Sequence, residues 1–314
     1  MNDAAGREID YLRLSVTDRC NLRCIYCMPE EGIPLVEHDD ILTVEETLEL
    51  TGLIITEVGI RKVRITGGEP LVRKGLPGIV RGLSGMKLRE LVMTTNGLLL
   101  KAKAQELADA GIQRFNVSLD SLDPARLRSI TRGDANLDSI EAAITAAAEA
   151  TGRRVKVNCV VMRGINSGEI ADFLLWSRRM DVTVRFIEHM PSILPSGVFF
   201  SRDDMLKAAG ELGKVEPAGE SGTALHYRIA GMDLEFGVIA PFSSPMCSSC
   251  NRIRLSAQGE LHTCLAGGPA VSLRELLRGG ASRDSISTVL RRAVEGKPES
   301  HGGCVSTDMW RIGG

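Results

Sequence analysis

Apolar runs of strand length alternate with amphipathic stretches of helical period from the first residues onward. Segments 11–16, 62–65, 89–93, 114–118, 156–161 and 182–187 carry the strand pattern. Between them, 44–57, 74–83, 98–110, 137–148 and 167–178 carry the helical one. Thr43, with Glu46 three residues later, predicts a capping box at the start of the first helix. Six strands separated by helices predict an α/β fold with right-handed crossovers and a parallel sheet, either open or curved into a portion of a barrel. In both architectures reactive groups gather at the C-terminal ends of the strands. Cysteines follow the first strand here, Gly67-Gly68-Glu69-Pro70 the second, Thr94-Thr95-Asn96-Gly97 the third and Ser118-Leu119-Asp120 the fourth.

The rhythm breaks after Glu188. Two prolines and a glycine fall within 190–197, and a domain boundary is expected near residue 193, giving an N-terminal domain of residues 1–192 and a C-terminal domain of residues 193–314. A helix is predicted over 202–212, then alternating strands 225–229 and 234–239, antiparallel and joined across Gly231-Met232-Asp233. There is no repeat of 20–50 residues beyond the βα rhythm and no low-complexity segment.

The chain has 314 residues, 43% hydrophobic and 25% charged, which suits one large domain and a smaller one. A net charge of −2 and a pI of about 6.3 argue against a nucleic-acid or membrane surface, so an anionic ligand needs a local basic cluster. The N-terminal stretch has no apolar signal core and no run of 18 apolar residues occurs, so a cytosolic location is expected. In that compartment eight cysteines point to metal ligation rather than to disulfides.

Cys20, Cys24 and Cys27 form a C-x3-C-x2-C triplet followed by Met28-Pro29. Three thiolates on one short loop can hold three irons of a [4Fe–4S] cluster and leave the fourth open for chemistry. Zinc fits poorly, because it favours two separated pairs. The bland alternative is three buried reduced cysteines. Cys247, Cys250 and Cys264 make a second triplet, C-x2-C-x13-C. It reads either as a zinc site completed by His262 or as a second open cluster able to take a substrate atom. Cys159 and Cys304 stand alone and read as structural.

The first triplet, with Tyr26 before its last cysteine, resembles the signature of the radical S-adenosylmethionine (SAM) superfamily. In combination with the second triplet, the motifs RITGGEPL, TTNGLLL, NVSLDSLD, RFIEHM and CSSCNRIRLS and the terminal Gly313-Gly314, it is similar to the GTP 3′,8-cyclases of molybdenum cofactor biosynthesis from about Leu12 to the last residue. The resemblance implies an incomplete (β/α)6 barrel, TIM-like, closed by a C-terminal domain. It also implies two [4Fe–4S] clusters on the two triplets, and a SAM pocket including Tyr26, Gly68, Ser118 and Met190. GTP contacts are implied at Arg13, Arg64, Thr94, Lys156, Arg252, Ile253 and Arg254, with Arg13, Arg252, Arg254 and the Gly313-Gly314 tail in catalysis. A glycine at 68 would let backbone approach a small ligand closely. For the tail, the residues alone suggest plain fraying.

The implied reaction is abstraction of the ribose 3′ hydrogen by a 5′-deoxyadenosyl radical and closure onto C8 of the guanine, a lyase activity. Implied partners are a flavodoxin- or ferredoxin-type electron donor, the cyclic pyranopterin monophosphate synthase downstream and a second copy in a homodimer. The basic residues also carry weight independently of the resemblance: Arg13, Arg64 and Lys156 lie on predicted strands, where charge is costly unless it faces a polar cavity. Arg252 and Arg254 alternate on one strand face, and guanidinium forks suit phosphates and purine edges. Rival readings are a radical SAM enzyme whose second cluster takes a peptide or another small molecule, and a non-catalytic metal-binding regulator. Segments 190–200 and the stretch after Lys297-Pro298 read as abbreviated.

Overall fold

The computed structural model describes residues 1–34, 36–190, 194–265 and 270–300; Cys304, the Gly313-Gly314 tail and some of the abbreviated 190–200 segment lie outside them. Six strands run parallel in sequence order: β1 (Tyr11–Ser15), β2 (Lys62–Thr66), β3 (Glu90–Thr95), β4 (Arg114–Ser118), β5 (Lys156–Val161) and β6 (Thr183–Glu188). All six expected strands are present, with bounds within two residues of the pattern. Between them lie α1 (Val44–Ile54), α2 (Leu76–Ser84), α3 (Ala104–Ala110), α4 (Pro124–Thr131), α5 (Leu137–Thr151) and α6 (Ile170–Arg179). The capping box at Thr43 forms: the Glu46 N–H donates to Thr43 Oγ1 at 3.1 Å and the Thr43 N–H to Glu46 Oε2 at 2.8 Å.

Some helices differ from expectation. α1 ends at Ile54 and continues as a wide π turn to Gly59, whose φ of 82° stops the helix. α3 starts only at Ala104 rather than at residue 98. α4 was not expected, because PARLRSIT carries few apolar positions; it forms on the Asp123 cap and Pro124 in its first turn.

After residue 200 come α7 (Arg202–Ala209), β7 (Val215–Ser221), β8 (Ala224–Ile229), β9 (Glu235–Ile239), β10 (Arg252–Leu255), β11 (Glu260–His262), β12 (Val271–Ser272), α8 (Leu273–Arg278) and α9 (Arg283–Glu295). β8 and β9 are antiparallel, as their alternation predicts. These strands do not form a sheet of their own. β10 pairs parallel with β1 and β9 parallel with β6, so the order is β12-β11-β10-β1-β2-β3-β4-β5-β6-β9-β8-β7. Eight consecutive parallel strands result, six from the N-terminal two thirds of the chain and one on each edge from the remainder.

Side-chain parity sorts the sheet into two faces. Leu12, Leu14, Val63, Ile65, Phe115, Val157, Phe186, Phe236 and Ile253 are buried in one continuous apolar core. Edge-to-face contacts from Phe173 to Phe186 (6.2 Å) and from Phe186 to Phe236 (6.0 Å) fasten β9 to β6 and α6. The opposite parity carries Tyr11, Arg13, Lys62, Arg64, Arg114, Asn116, Lys156 and Arg185. At the end of β6 the buried Glu188 carboxylate accepts from the backbone of Arg202 (2.8 Å), Phe242 (3.0 Å) and Ser243 (3.1 Å), tying the C-terminal segments to the six-strand core.

Candidate active site

A cavity of about 700 Å³ occupies the polar face. Residues from both ends of the parallel run, Arg252 and Arg254 on β10 and Ile239 on β9, line it together, so the sheet curls around it. All six cysteines of the two triplets also line it. Cys20, Cys24 and Cys27 follow the C-terminal end of β1. β10 is parallel to β1, with Tyr11 opposite Arg252, so Cys247 and Cys250 precede the N-terminal end of the same layer. β11 returns antiparallel and brings Cys264 to that end too. The first triplet, Gly68, Thr94 and Ser118 line the cavity at or near the C-terminal ends of β1 to β4, as expected, whereas the second triplet lies at the other end. At about 3.3 Å per residue, the length of β1 and its flanks separates the two by roughly 20 Å.

The first triplet sits on a tight loop. The Cys27 and Met28 N–H groups donate to the Cys24 carbonyl at 2.9 and 3.1 Å. Gly68 and Glu69 pair with this loop through Gly68 N–H to Thr17 O (2.8 Å) and Glu69 N–H to Arg19 O (2.8 Å). A Cβ on Gly68 would stand 2.4 Å from the Arg19 carbonyl oxygen. The glycine at 68 is therefore required by close packing of the two loops, and the same residue lies on the cavity wall.

Tyr26 lines the cavity, and its hydroxyl donates to Asp120 Oδ2 at 2.8 Å, while Asp120 Oδ1 accepts from Val160 N–H at 2.8 Å. Burial raises Asp120 to about 6 and Glu69 to about 7. Glu69 accepts from Thr95 Oγ1 (2.7 Å), Asn96 N–H (2.7 Å) and Leu71 N–H (3.0 Å), joining the loops after β2 and β3. Burial, together with Asp120 and the neighbouring thiols, drives Cys24 well up, and burial with Cys20 and Asp120 takes Cys27 to about 12. Ser118, Met190 and His189 also lie on the wall, and the two buried ring nitrogens of His189 have no hydrogen-bond partner among the described residues.

The second triplet has cationic surroundings. Arg252 Nη2 lies 3.8 Å from Cys250 Sγ. Burial would raise the Cys250 thiol, but Arg252 and Lys297 outweigh it and bring it down to about 7. His262 Nε2 lies 3.5 Å from Glu260 Oε2, and among the described residues it does not converge with the second triplet's cysteines on a common ion position.

Between the triplets the lumen is lined by cations. Arg254, Arg13 and Arg64 stand in register on three adjacent strands, β10, β1 and β2. Arg64 donates to Thr94 Oγ1 at 3.2 Å. Asn116, with its amide oxygen turned to the guanidinia, accepts from Arg185 at 2.7 Å and from Arg64. Gly237 makes room for this arrangement, since a Cβ there would meet the Arg185 stem at 2.9 Å. Burial first, and then mutual repulsion, lowers Arg185 to about 9, Arg13 to about 10 and Lys156 to about 8, and takes Arg254 well below the usual guanidinium range. Tyr11, which burial alone would raise, is held at about 8 by Arg64, Arg13, Lys62 and Arg252. So much buried positive charge is unfavourable until an anion arrives.

Sequence reasoning passed over Tyr11, Lys62, Arg114, Asn116, Arg185, His189 and Lys297, of which all but Asn116 line this wall, and gave Glu69 and Asp120 a place at strand ends but no role. For Arg185 the signal was present: a charge at inward parity between Val184 and Phe186, the criterion that selects Arg13. Ile253, expected among the nucleotide contacts, faces the other way; it is wholly buried in the apolar core and absent from the cavity wall.

Three thiols on one loop, with Cys24 opposed in its ionisation by Cys27 and Cys20, suit a polynuclear iron group in which each iron takes one thiolate. Among the described residues no three Cys, His, Asp or Glu side chains converge as they would on a single ion.

Residues 14–176 match the Radical SAM superfamily and residues 182–303 match Molybdenum Cofactor Synthesis C. A GTP 3′,8-cyclase of Thermodesulfovibrio yellowstonii is 43% identical over 307 residues, covering 95% of each chain. Those of Peptoclostridium acidaminophilum (43% over 322 residues, 99% of this chain and 98% of that one) and Geobacter sulfurreducens (44% over 313 residues, 96% and 93%) are similar. The chain belongs to the GTP 3′,8-cyclase family of radical SAM enzymes. Among solved structures, Streptococcus suis SuiB bound to S-adenosylmethionine shares the fold at a TM-score of 0.61 and 13% identity, over 90% of this chain and 68% of that one. Within the family frame, the incomplete barrel is extended here by one parallel strand on each edge. No helix among the described residues is long and apolar enough to cross a membrane.

Proposed function

We propose that this chain is a lyase that converts GTP to 3′,8-cyclo-7,8-dihydro-GTP, the first step of molybdenum cofactor biosynthesis. The N-terminal domain, residues 1–192, generates the radical, with Cys20, Cys24 and Cys27 as the ligands of one [4Fe–4S] cluster. The C-terminal domain, residues 193–314, contributes the ligands Cys247, Cys250 and Cys264 of the other. SAM bound at the first cluster supplies, on one-electron reduction, the 5′-deoxyadenosyl radical that takes the ribose 3′ hydrogen. C3′ then bonds to C8 of the guanine. One further electron and one proton complete the product, which is an isomer of GTP.

The observation that carries this reading is the cation-lined lumen running from one triplet to the other. Arg13, Arg64, Lys156 and Arg185 hold the triphosphate there as charge-assisted donors. Thr94 supports Arg64, and Arg252 and Arg254 orient the purine end beside the second triplet. Tyr26, Gly68, Ser118 and Met190 bound the SAM side, with Tyr26 kept in place by Asp120. Because the reacting carbons belong to one ligand held at both ends, positioning supplies most of what the protein adds. The catalytic role of Gly313 and Gly314 rests on the family resemblance, as does a homodimer. A flavodoxin- or ferredoxin-type donor delivers the electrons, the pyranopterin synthase consumes the product, and the cytosol is the compartment.

The test is anaerobic reconstitution with iron and sulfide, then reaction with SAM and GTP deuterated at C3′. Deuterium should appear in 5′-deoxyadenosine, together with a GTP isomer. SAM cleavage indifferent to GTP, with no label transferred, would overturn the reading.

A further inference from the structure

The first residues of the chain carry a buried ion pair that the proposed reaction does not use. Asp3 and Arg7 are 6% and 7% exposed, and Arg7 Nε donates to Asp3 Oδ2 at 2.6 Å. The two terminal nitrogens of Arg7 fan out onto four carbonyls. Nη1 donates to Cys247 O (2.8 Å) and Glu299 O (3.1 Å), and Nη2 to Pro298 O (2.8 Å) and Lys297 O (3.3 Å). All five guanidinium N–H groups are engaged.

Lys297 extends the network. Its Nζ donates to Arg252 O at 3.0 Å and to Thr263 O, the residue before Cys264. A few residues along the N-terminal segment, Asp10 Oδ1 accepts from Asn251 Nδ2 at 2.7 Å, beside Cys250. Every cysteine of the second triplet is thus held, at its own carbonyl or through an adjacent residue, by the N-terminal segment, directly or through Lys297. A buried ion pair is weak evidence for stability as such. A rigid fork with five fixed donors sets geometry, which a flexible ammonium would not do.

We propose that the Asp3–Arg7 pair is a positioning device for the second cluster, setting the spacing of Cys247 against Cys250 and Cys264. The proposal rests on reading those cysteines as cluster ligands. Two full-length variants test it after anaerobic reconstitution. Arg7→Lys keeps the charge opposite Asp3 but lacks the fork, and the Asp3→Asn/Arg7→Gln double variant leaves no buried charge unbalanced. Iron should fall from about eight to about four per chain. The reduced spectrum should become that of a Cys250→Ala protein. 5′-Deoxyadenosine formation should persist, while cyclised nucleotide is lost as in the Cys250→Ala protein.

Unchanged iron, spectrum and product ratio would overturn the proposal. So would a parallel loss of both clusters, which would mark Arg7 as a general stability residue. A wild-type protein with only about four irons would instead remove the second-cluster reading, and the proposal with it.

Discussion

Cys24 and Cys27 lie against Asp120 and one another, and burial with that negative neighbour drives both thiols up, Cys27 to about 12. Cys250, in spite of burial, is held at about 7 by Arg252 and Lys297. Cys24 and Cys250 are therefore set in fields of opposite sign at the two ends of one lumen. At the first end burial and Asp120 oppose the ionisation of Cys24 and Cys27, so the negative charge of their thiolates must be offset by what they bind. At the second end the field is positive and continuous with Arg13, Arg64 and Arg254, so the end that receives an anionic nucleotide is also the one whose thiolate is already favoured.

Removing one ligand at each end breaks the comparison most sharply. Cys24→Ala should abolish SAM cleavage while the second triplet's iron remains. Cys250→Ala should keep SAM cleavage and lose GTP binding and cyclisation. Iron analysis, 5′-deoxyadenosine and nucleotide binding read both; equal losses in the two variants would mean that the ends are not functionally distinct. Gly68→Ala comes next. A methyl forced against the Arg19 carbonyl should cost about 1–3 kcal/mol by overpacking and selectively deplete the first cluster's iron. If Gly68→Ala instead keeps full iron and loses only SAM affinity, close packing of the loops is not the reason for that glycine.

The difference between the two ends also marks what was legible in the chain. Spacing alone picked out Cys20, Cys24 and Cys27, because a short loop constrains three ligands locally. The six core strands were legible because apolar parity and glycine-containing loops are local as well. α4 was missed for the same reason, since its cap and proline outweigh a weak apolar stripe. That β9 and β10 would flank the barrel was not legible, because the pairing of Tyr11 with Arg252 joins segments about 240 residues apart. Lys297 and Arg7 escaped notice because they act on backbone carbonyls of distant segments, which leave no mark in residue spacing.

Arg185 tests whether the middle of the lumen belongs to the second end's field. Arg185→Met keeps the volume and removes a buried cation held at about 9. Charge-assisted hydrogen bonds are worth about 1.5–3 kcal/mol, so GTP binding should weaken roughly ten- to hundredfold. The nucleotide-free protein should be no less stable, because a repelled, desolvated charge is gone. SAM cleavage without GTP should be unaffected. Loss of thermal stability in step with loss of affinity would make Arg185 a structural residue.

The smallest expected effect is a pH dependence at Lys156, which burial, then Arg185, Arg114, Lys62 and Arg64, lower to about 8 in the free protein. A bound triphosphate raises that value again, so the protonated lysine binds GTP and binding takes up a proton above pH 8. Affinity is therefore full below about pH 8 and declines as pH rises through it, by at most about tenfold per unit for one proton. The nucleotide's own phosphate ionisation, near pH ~6, is over by then. Tyr11, also held at about 8, becomes an anion over the same range and weakens the attraction further. Isothermal titration from pH 7 to pH 9.5 with Lys156→Arg and Tyr11→Phe separates the two. Arginine at 156 should flatten the Lys156 contribution to the decline, phenylalanine at 11 the other. A wild-type affinity that is level across this range would show that neither group senses the bound anion, and the lumen cations would then have to be neutralised by something other than GTP.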